Sequence, residues 1–269
     1  MMARRSYTQW NTFKTDDVTF ALGMDRNGKT AINMLVQPNC TDVAFVTPAC
    51  VTNWPRVTGD GNYGTLWGPS DINKAKYSLD LTDGSINGAD NPYFTDFANM
   101  LEAIDDKLLD FVHSNQLKIL GRKNLTREEV KMLQIRSVRA KYDKTSGVLV
   151  GHSIQMTTSK FAWDGMGGKF ARKVNICDQA GIVVINGNVA PGDVVAATAY
   201  ANQVYTGVGG DKFGIHWSFE DISVVCQRNK LEVKSSVPVF ALQQYSFGQA
   251  YDDNSMADCT IVDRQFSDP

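Results

Sequence analysis

The hydrophobic positions of this chain change their period near residue 134. Before that point the clearest stretch is helical: Phe94, Phe97, Leu101, Ile104, Leu108 and Phe111 recur at three- and four-residue intervals and share one stripe. Asn91 is placed to cap this helix, and Pro92 suits its first position. A second start stands at "LTREEV": Thr126 as cap, Glu129 three residues on, Leu125 and Val130 spaced as a hydrophobic staple. After residue 134 the period is two. Candidate strands are 134–142, 147–158, 170–177, 182–186, 193–205 and 213–226, separated by the turn-forming runs "DKTSG", "DGMGG", "DQAG", "NGNVAPG" and "GVGGDK".

Upstream, "NKAKYSLDL" sets Ala75, Tyr77, Leu79 and Leu81 on one face and predicts a half-buried strand. "DVAFVTPACV" (42–51) contains Pro48 and predicts an edge strand or an extended lead-in. Residues 1–40 hold no sustained period and predict an irregular N-terminal arm. In the last candidate strand Phe213, Ile215, Trp217 and Phe219 bury one face, which turns His216 toward solvent. The apolar phase flips after Glu220 and Asp221, predicting a bulge. Successive strands without intervening helices indicate antiparallel pairing in a barrel or sandwich.

Charge sharpens this picture. The chain of 269 residues has a net charge of only −2. Residues 117–173 nevertheless carry 13 Lys/Arg against 4 Asp/Glu, whereas 1–116 carry 9 against 14 and 174–269 carry 5 against 11. Such a split fits a local polyanion-binding surface, and equally a solvated helix face with strand-edge lysines. The last 19 residues (251–269) hold five aspartates and one arginine and read as an exposed acidic tail. Five widely spaced cysteines with no C-x-x-C argue against a disulfide framework or a zinc site and point to a reducing, intracellular compartment. No apolar run is long enough to span a bilayer, and the first residues lack the apolar stretch of a secretory signal.

Little here supports catalysis. "GDGNYG" (59–64) matches G-x-G-x-x-G, but Gly68 and Pro69 forbid the helix that a dinucleotide site requires. It reads as a loop whose Tyr63 and Trp67 offer stacking or packing surfaces. The three histidines have no metal-ligand spacing, and His113 at a helix end suits the helix dipole. Asp105–Asp106 and Glu128–Glu129 read as polar-face residues of helices. No cofactor, metal site or catalytic group is expected.

The richest segment is "SKFAWDGMGGKFARK" (159–173). Lys160, Lys169, Arg172 and Lys173 interleave with Phe161, Trp163 and Phe170 around a glycine turn, and Arg136, Arg139, Lys141 and Lys144 extend the basic run upstream. Cations that track phosphates beside aromatic faces that stack on bases are what single-stranded nucleic acid binding needs. The same residues also fit a hairpin with core aromatics and edge-blunting lysines. Lys212, at the tip of the last turn, is placed to touch a phosphate.

Residues 173–227 resemble the C-terminal half of an OB-fold: a strand ending in Asp, a tight turn, a strand, "PGD" opening a third, then a Gly-rich hairpin. With "GDGNYGTLWGP" followed by "INKAKYSLDL" and the helical insert, residues 50–228 resemble the phage-type single-stranded-DNA-binding proteins, which have counterparts in nucleocytoplasmic large DNA viruses. The resemblance implies a mainly β, OB-fold-like antiparallel barrel (41–230) with a helical insert (91–133); the N-terminal arm (1–40) is extra to the family pattern, and a C-terminal extension (231–269) follows the barrel. It also implies a non-enzymatic protein that binds single-stranded DNA without sequence preference in viral replication and recombination. The tail 251–269 would dock replication proteins, in the host cytoplasm or nucleus. A barrel with long arms at both ends equally fits a minor capsid protein of a virion, its basic stretch meeting genome, lipid head groups or capsid neighbours. Whether the chain forms a homo-oligomer is left open by its sequence.

Overall fold

The computed structural model describes residues 6–24, 29–53, 76–86, 89–143, 145–159, 161–163, 169–171, 174–183, 189–207 and 211–226. Strands β1 (Thr8–Gln9), β2 (Val18–Met24), β3 (Thr30–Val36), β4 (Thr41–Asp42), β5 (Ala44–Val46), β6 (Cys50–Thr52) and β7 (Lys76–Thr82) precede the helices. Helices α1 (Pro92–Ser114), α2 (Gln116–Leu120) and α3 (Arg127–Met132) follow. Then come β8 (Gln134–Ile135), β9 (Val138–Tyr142), β10 (Leu149–Ser159), β11 (Phe161–Trp163), β12 (Lys169–Ala171), β13 (Asn175–Cys177), β14 (Val194–Thr206) and β15 (Phe213–Cys226).

One mixed sheet runs β1-β5-β14-β6-β7-β10-β9, with β15 beside β14. Its long pairings are antiparallel, while β1–β5, β13–β15 and β8–β15 are short parallel pairings. The long hairpin β14–β15 supplies the curl. Its register shifts between Ala197 and Ala199 opposite Ile222 and Phe219, which places the expected bulge at Glu220 and Asp221. The sheet folds round until β10 meets β15, where no backbone ladder joins them among the described residues. Instead Thr158 Oγ1 donates to Phe219 O (2.6 Å) and accepts from Phe219 N (2.9 Å), and Ser218 Oγ donates to Thr157 O (2.7 Å). The result is the mainly β, OB-fold-like architecture with a helical insert.

The core lies inside this curl. Leu79, Leu81, Ile154, Met156, Val195, Ala197, Phe213, Trp217, Phe219 and Ile222 are buried there, and α1 lays Phe94, Phe97, Leu101, Ile104 and Leu108 against them. Phe45 joins strands and helix, with ring centroids 5.5 Å from Phe97 and 5.3 Å from Trp217. Burying each such side chain contributes roughly 1.5–3 kcal/mol.

Several expectations change. Residues 6–24 and 29–42 are not irregular: β2 and β3 form a hairpin that packs Phe20 on Phe111 of α1. Alternation there is weak because both faces are half-exposed, so period alone does not reveal it. The segment 42–51 is no edge strand: β5 and β6 both pair with β14 in the middle of the sheet, and Pro48 falls between them. Of the candidate strand 182–186, Val183 makes an isolated bridge to Cys177, and 184–188 lie outside the described residues. The strand expected over 134–142 breaks into β8 and β9 at Arg136 and Ser137. Asn91 precedes α1 but does not cap it; its amide donates to Ala49 O (3.0 Å). Thr126 and Glu129 do form the capping box of α3. His113 and Gln116 both reach Leu125 O and so fix the link into α3. Among the described residues, Cys40, Cys50, Cys177 and Cys226 form no disulfide. The loop 59–64, Tyr63, Trp67, Cys259 and the tail lie outside the described residues.

Candidate nucleic-acid interface

The pleat of β7 and β10 sends Leu79, Leu81, Ile154 and Met156 inward, so Ser78, Asp80, Gln155 and Thr157 form the outer face. Strand β9 adds Arg139 and Lys141 to it. Arg139 Nη1 donates to Gln155 Oε1 (3.0 Å), a neutral partner, and makes no ion pair among the described residues. Its cation is therefore available to an anion. Lys141 instead binds Asp80 Oδ2 at 2.7 Å.

The same face continues onto β14 and β15 across the seam. His216, expected to meet solvent, is half-buried there: its Nε2 lies 2.6 Å from Thr157 Oγ1, and Asn202 Nδ2 is 3.4 Å from its Nδ1. It fastens β10 to β15. Two residues away, Gly214 has no side chain where a Cβ would meet Ile135 O at 2.6 Å and Tyr205 Oη at 3.0 Å. The glycine lets the Tyr205 phenol lie across β15 toward β8. Burial, the main influence, raises the pKa of that phenol above the usual tyrosine range; nearby Arg139 opposes the shift and Asp105 adds to it. Tyr205 also lines an open groove of about 570 Å³ between β3 and β14, with Ile32, Met34, Ala201 and Gln203. An aromatic ring, a cation, amides and hydroxyls thus share one outward surface.

Beneath it is a buried polar chain. Asp105 is fully buried on α1, although its charge suggests a polar face. It accepts from Ser137 N (2.7 Å) and Ser137 Oγ (2.9 Å), and Ser137 Oγ accepts from Trp217 Nε1 (2.8 Å). Burial pushes the Asp105 carboxyl up to about 6, against the pull of the Ser137 donors and of Arg136. Arg136 lies 2.9 Å from Asp106 Oδ1 and 3.9 Å from Asp105 Oδ2. Its charge ties the β8–β9 junction to the helix.

The structure brings together only part of the twelve expected binding residues. Arg139 and Lys141 lie on one face, Arg136 beside it against α1, and Lys212 is exposed at the β14–β15 turn. Phe161, Trp163, Lys169 and Phe170 belong to a separate two-stranded hairpin, β11–β12, in which Phe161 pairs with Ala171, Ala162 with Phe170 and Trp163 with Lys169. Lys144, Lys160, Arg172 and Lys173 lie outside the described residues. Sequence reasoning does not find Tyr205, Gln155 and Asn202, because neutral residues on alternating strands carry no charge signal. Among the described residues no cluster suits a metal ion, and no helix is long and apolar enough to cross a membrane.

The sequence matches no known family profile and no curated protein. Solved structures with a similar chain path include the single-stranded DNA-binding protein gp2.5 of bacteriophage T7. It has 9% identity and a TM-score of 0.48, over 78% of this chain and 99% of that one. The single-stranded DNA-binding protein of bacteriophage Enc34 is 10% identical, with a TM-score of 0.34, over 81% of this chain and 98% of that one. In its complex with single-stranded DNA the same protein again gives 10% and 0.34, over 77% and 96%.

Proposed function

We propose that the protein binds single-stranded DNA without sequence preference, along the outer face of β7, β10 and β9 and past Tyr205 on β14. The observation that carries this reading is the placement of Arg139, held by a neutral amide, on the same surface as the half-buried Tyr205 ring. A cation without a carboxylate partner attracts phosphate, and an aromatic face stacks on any base. The basic excess of residues 117–173 supplies longer-range attraction. In this reading the protein covers exposed strands during replication or recombination of a viral genome, and its acidic tail contacts replication proteins.

Titration of the full chain with oligo-dT, followed by tryptophan fluorescence and gel shift, tests the proposal. Quenching with affinity that falls as salt rises is the expected result. Unchanged fluorescence with no gel shift at low salt overturns it. Replacing Arg139 by alanine is expected to weaken binding about three- to tenfold while leaving the circular-dichroism spectrum unchanged.

A further inference from the structure

The β9–β10 hairpin ends in an apolar tip. Tyr142, Val148, Leu149 and Val150 are 62%, 60%, 48% and 63% exposed. A sheet that buries one face hides every second side chain, but here consecutive residues are all open, so the ribbon stands clear of the core on both sides. Grouped apolar residues in water mark an interaction site. The tip is also held firmly. Asp143 Oδ1 accepts from Thr145 N (3.0 Å), Ser146 N (2.7 Å) and Ser146 Oγ (2.9 Å), and Asp143 N donates to Val148 O (2.8 Å). Gly147, at φ +67°, closes the turn in a conformation that favours glycine.

We propose that this tip is a wedge that contacts bases of the bound strand, a second element of the nucleic-acid site described above; it rests on that function. Charge selects the occupant. Residues 138–152 contain Arg139, Lys141 and Lys144 and one acid, Asp143. The Asp143 carboxylate is engaged by the turn's own donors, which hold it below the usual carboxylate range. Lys141 is engaged by Asp80, but Arg139 is held by the neutral Gln155, and an apolar ribbon beside this cation fits bases with phosphates beside them. Position favours the same occupant: the tip begins three residues beyond Arg139 on one strand, about 10 Å at the rise of a strand, and because Tyr142 projects from the opposite face of the ribbon, the bound strand crosses the tip to meet it. A DNA strand held at Arg139 therefore reaches the tip.

The test uses the full chain and a Tyr142→Ser/Leu149→Thr/Val150→Thr variant, with Tyr142→Ser alone as a milder companion. Because these side chains are exposed, the circular-dichroism spectrum and melting temperature should match wild type. Both proteins are titrated with oligo-dT of about 6 and about 16 nucleotides, spanning the site sizes of single OB-folds, and with a long oligomer carrying 2-aminopurine. Wild type should bind the long oligomer more tightly and raise the 2-aminopurine signal as bases unstack. The triple variant should lose about tenfold on the long oligomer, the worth of one stacked base, and the fluorescence rise, while binding the short one as before. Equal binding of wild type and variant at both lengths overturns the wedge. So does a tip-dependent change in molecular mass by light scattering, or tip-dependent flotation with phosphatidylserine vesicles, if DNA binding is unaltered. If wild type binds neither oligomer at low salt, the function proposed above fails first and the wedge with it.

Discussion

At the scale of single residues, Asp105 carries the strongest consequence. It falls at the i+4 position of the Leu101, Ile104, Leu108 stripe, so helical spacing does mark it as inward-facing; its charge conceals this. Its carboxyl, at about 6 in the fold, is raised from an ordinary value near 3.9 in the unfolded chain. Between about pH 4 and pH 6 the folded state therefore holds a proton that the unfolded chain has released. The stability due to this group is fully present below that window, falls as pH rises through it, and is flat above it. The loss amounts to about 3 kcal/mol at most, at 1.36 kcal/mol per unit. Asp105→Asn is expected to remove that component, so the difference in melting temperature between wild type and variant should change between pH 4 and 6 and level off above. A difference independent of pH would show that Asp105 does not titrate there. Arg136, by contrast, announces only its charge in the sequence, and the fold alone reveals Asp106 beside it.

Elements with strong local chemistry are legible in the sequence. The α1 stripe, the capping box of α3 and the β14–β15 hairpin all follow from spacing and turn residues. The capping box supplies its own check: Thr126→Ala should cost about 1 kcal/mol in chemical denaturation, and Thr126→Ser much less. Elements whose reason is tertiary stay hidden. Strand β2 is specified by its pairing with β3 and by Phe20 against Phe111, a contact made over a long separation. Strands β5 and β6 are three residues each and survive because β14 offers them an edge. Gly214 falls inside the candidate strand 213–226, where spacing gives it no task, and the fold shows that it admits Tyr205 and Ile135. Gly214→Ala is expected to cost about 1–3 kcal/mol by overpacking and to weaken oligo-dT binding with it.

For the molecule as a whole, the candidate site is half legible. Basic residues announce a polyanion partner, but the neutral and aromatic members of the face lie on β10 and β14, far apart in the chain, and converge only when the sheet closes. A site of this kind should respond to ionic strength in proportion to its phosphate contacts. With about three contacts, binding should fall roughly twentyfold between about 50 and 200 mM salt, and Arg139→Ala should lower the log–log slope by about 0.7. An unchanged slope would remove Arg139 from contact with the strand.

The seam between β10 and β15 gives the barrel an unequal circumference. Among the described residues, β10 is joined to β7 and β9, and β15 to β14, by main-chain ladders, but here Thr158, Ser218 and the Thr157–His216 pair do the fastening through side chains. A hydroxyl lets go by rotating one bond, whereas a ladder must shear. Native-state hydrogen exchange should therefore find the Phe219 amide, which donates to Thr158 Oγ1, released by low-energy local openings, while ladder amides at the centre of β14 exchange only through global unfolding. In the proposed function, a seam of this kind lets the face widen along one line without unfolding, and so admits a strand from the side rather than by threading an end.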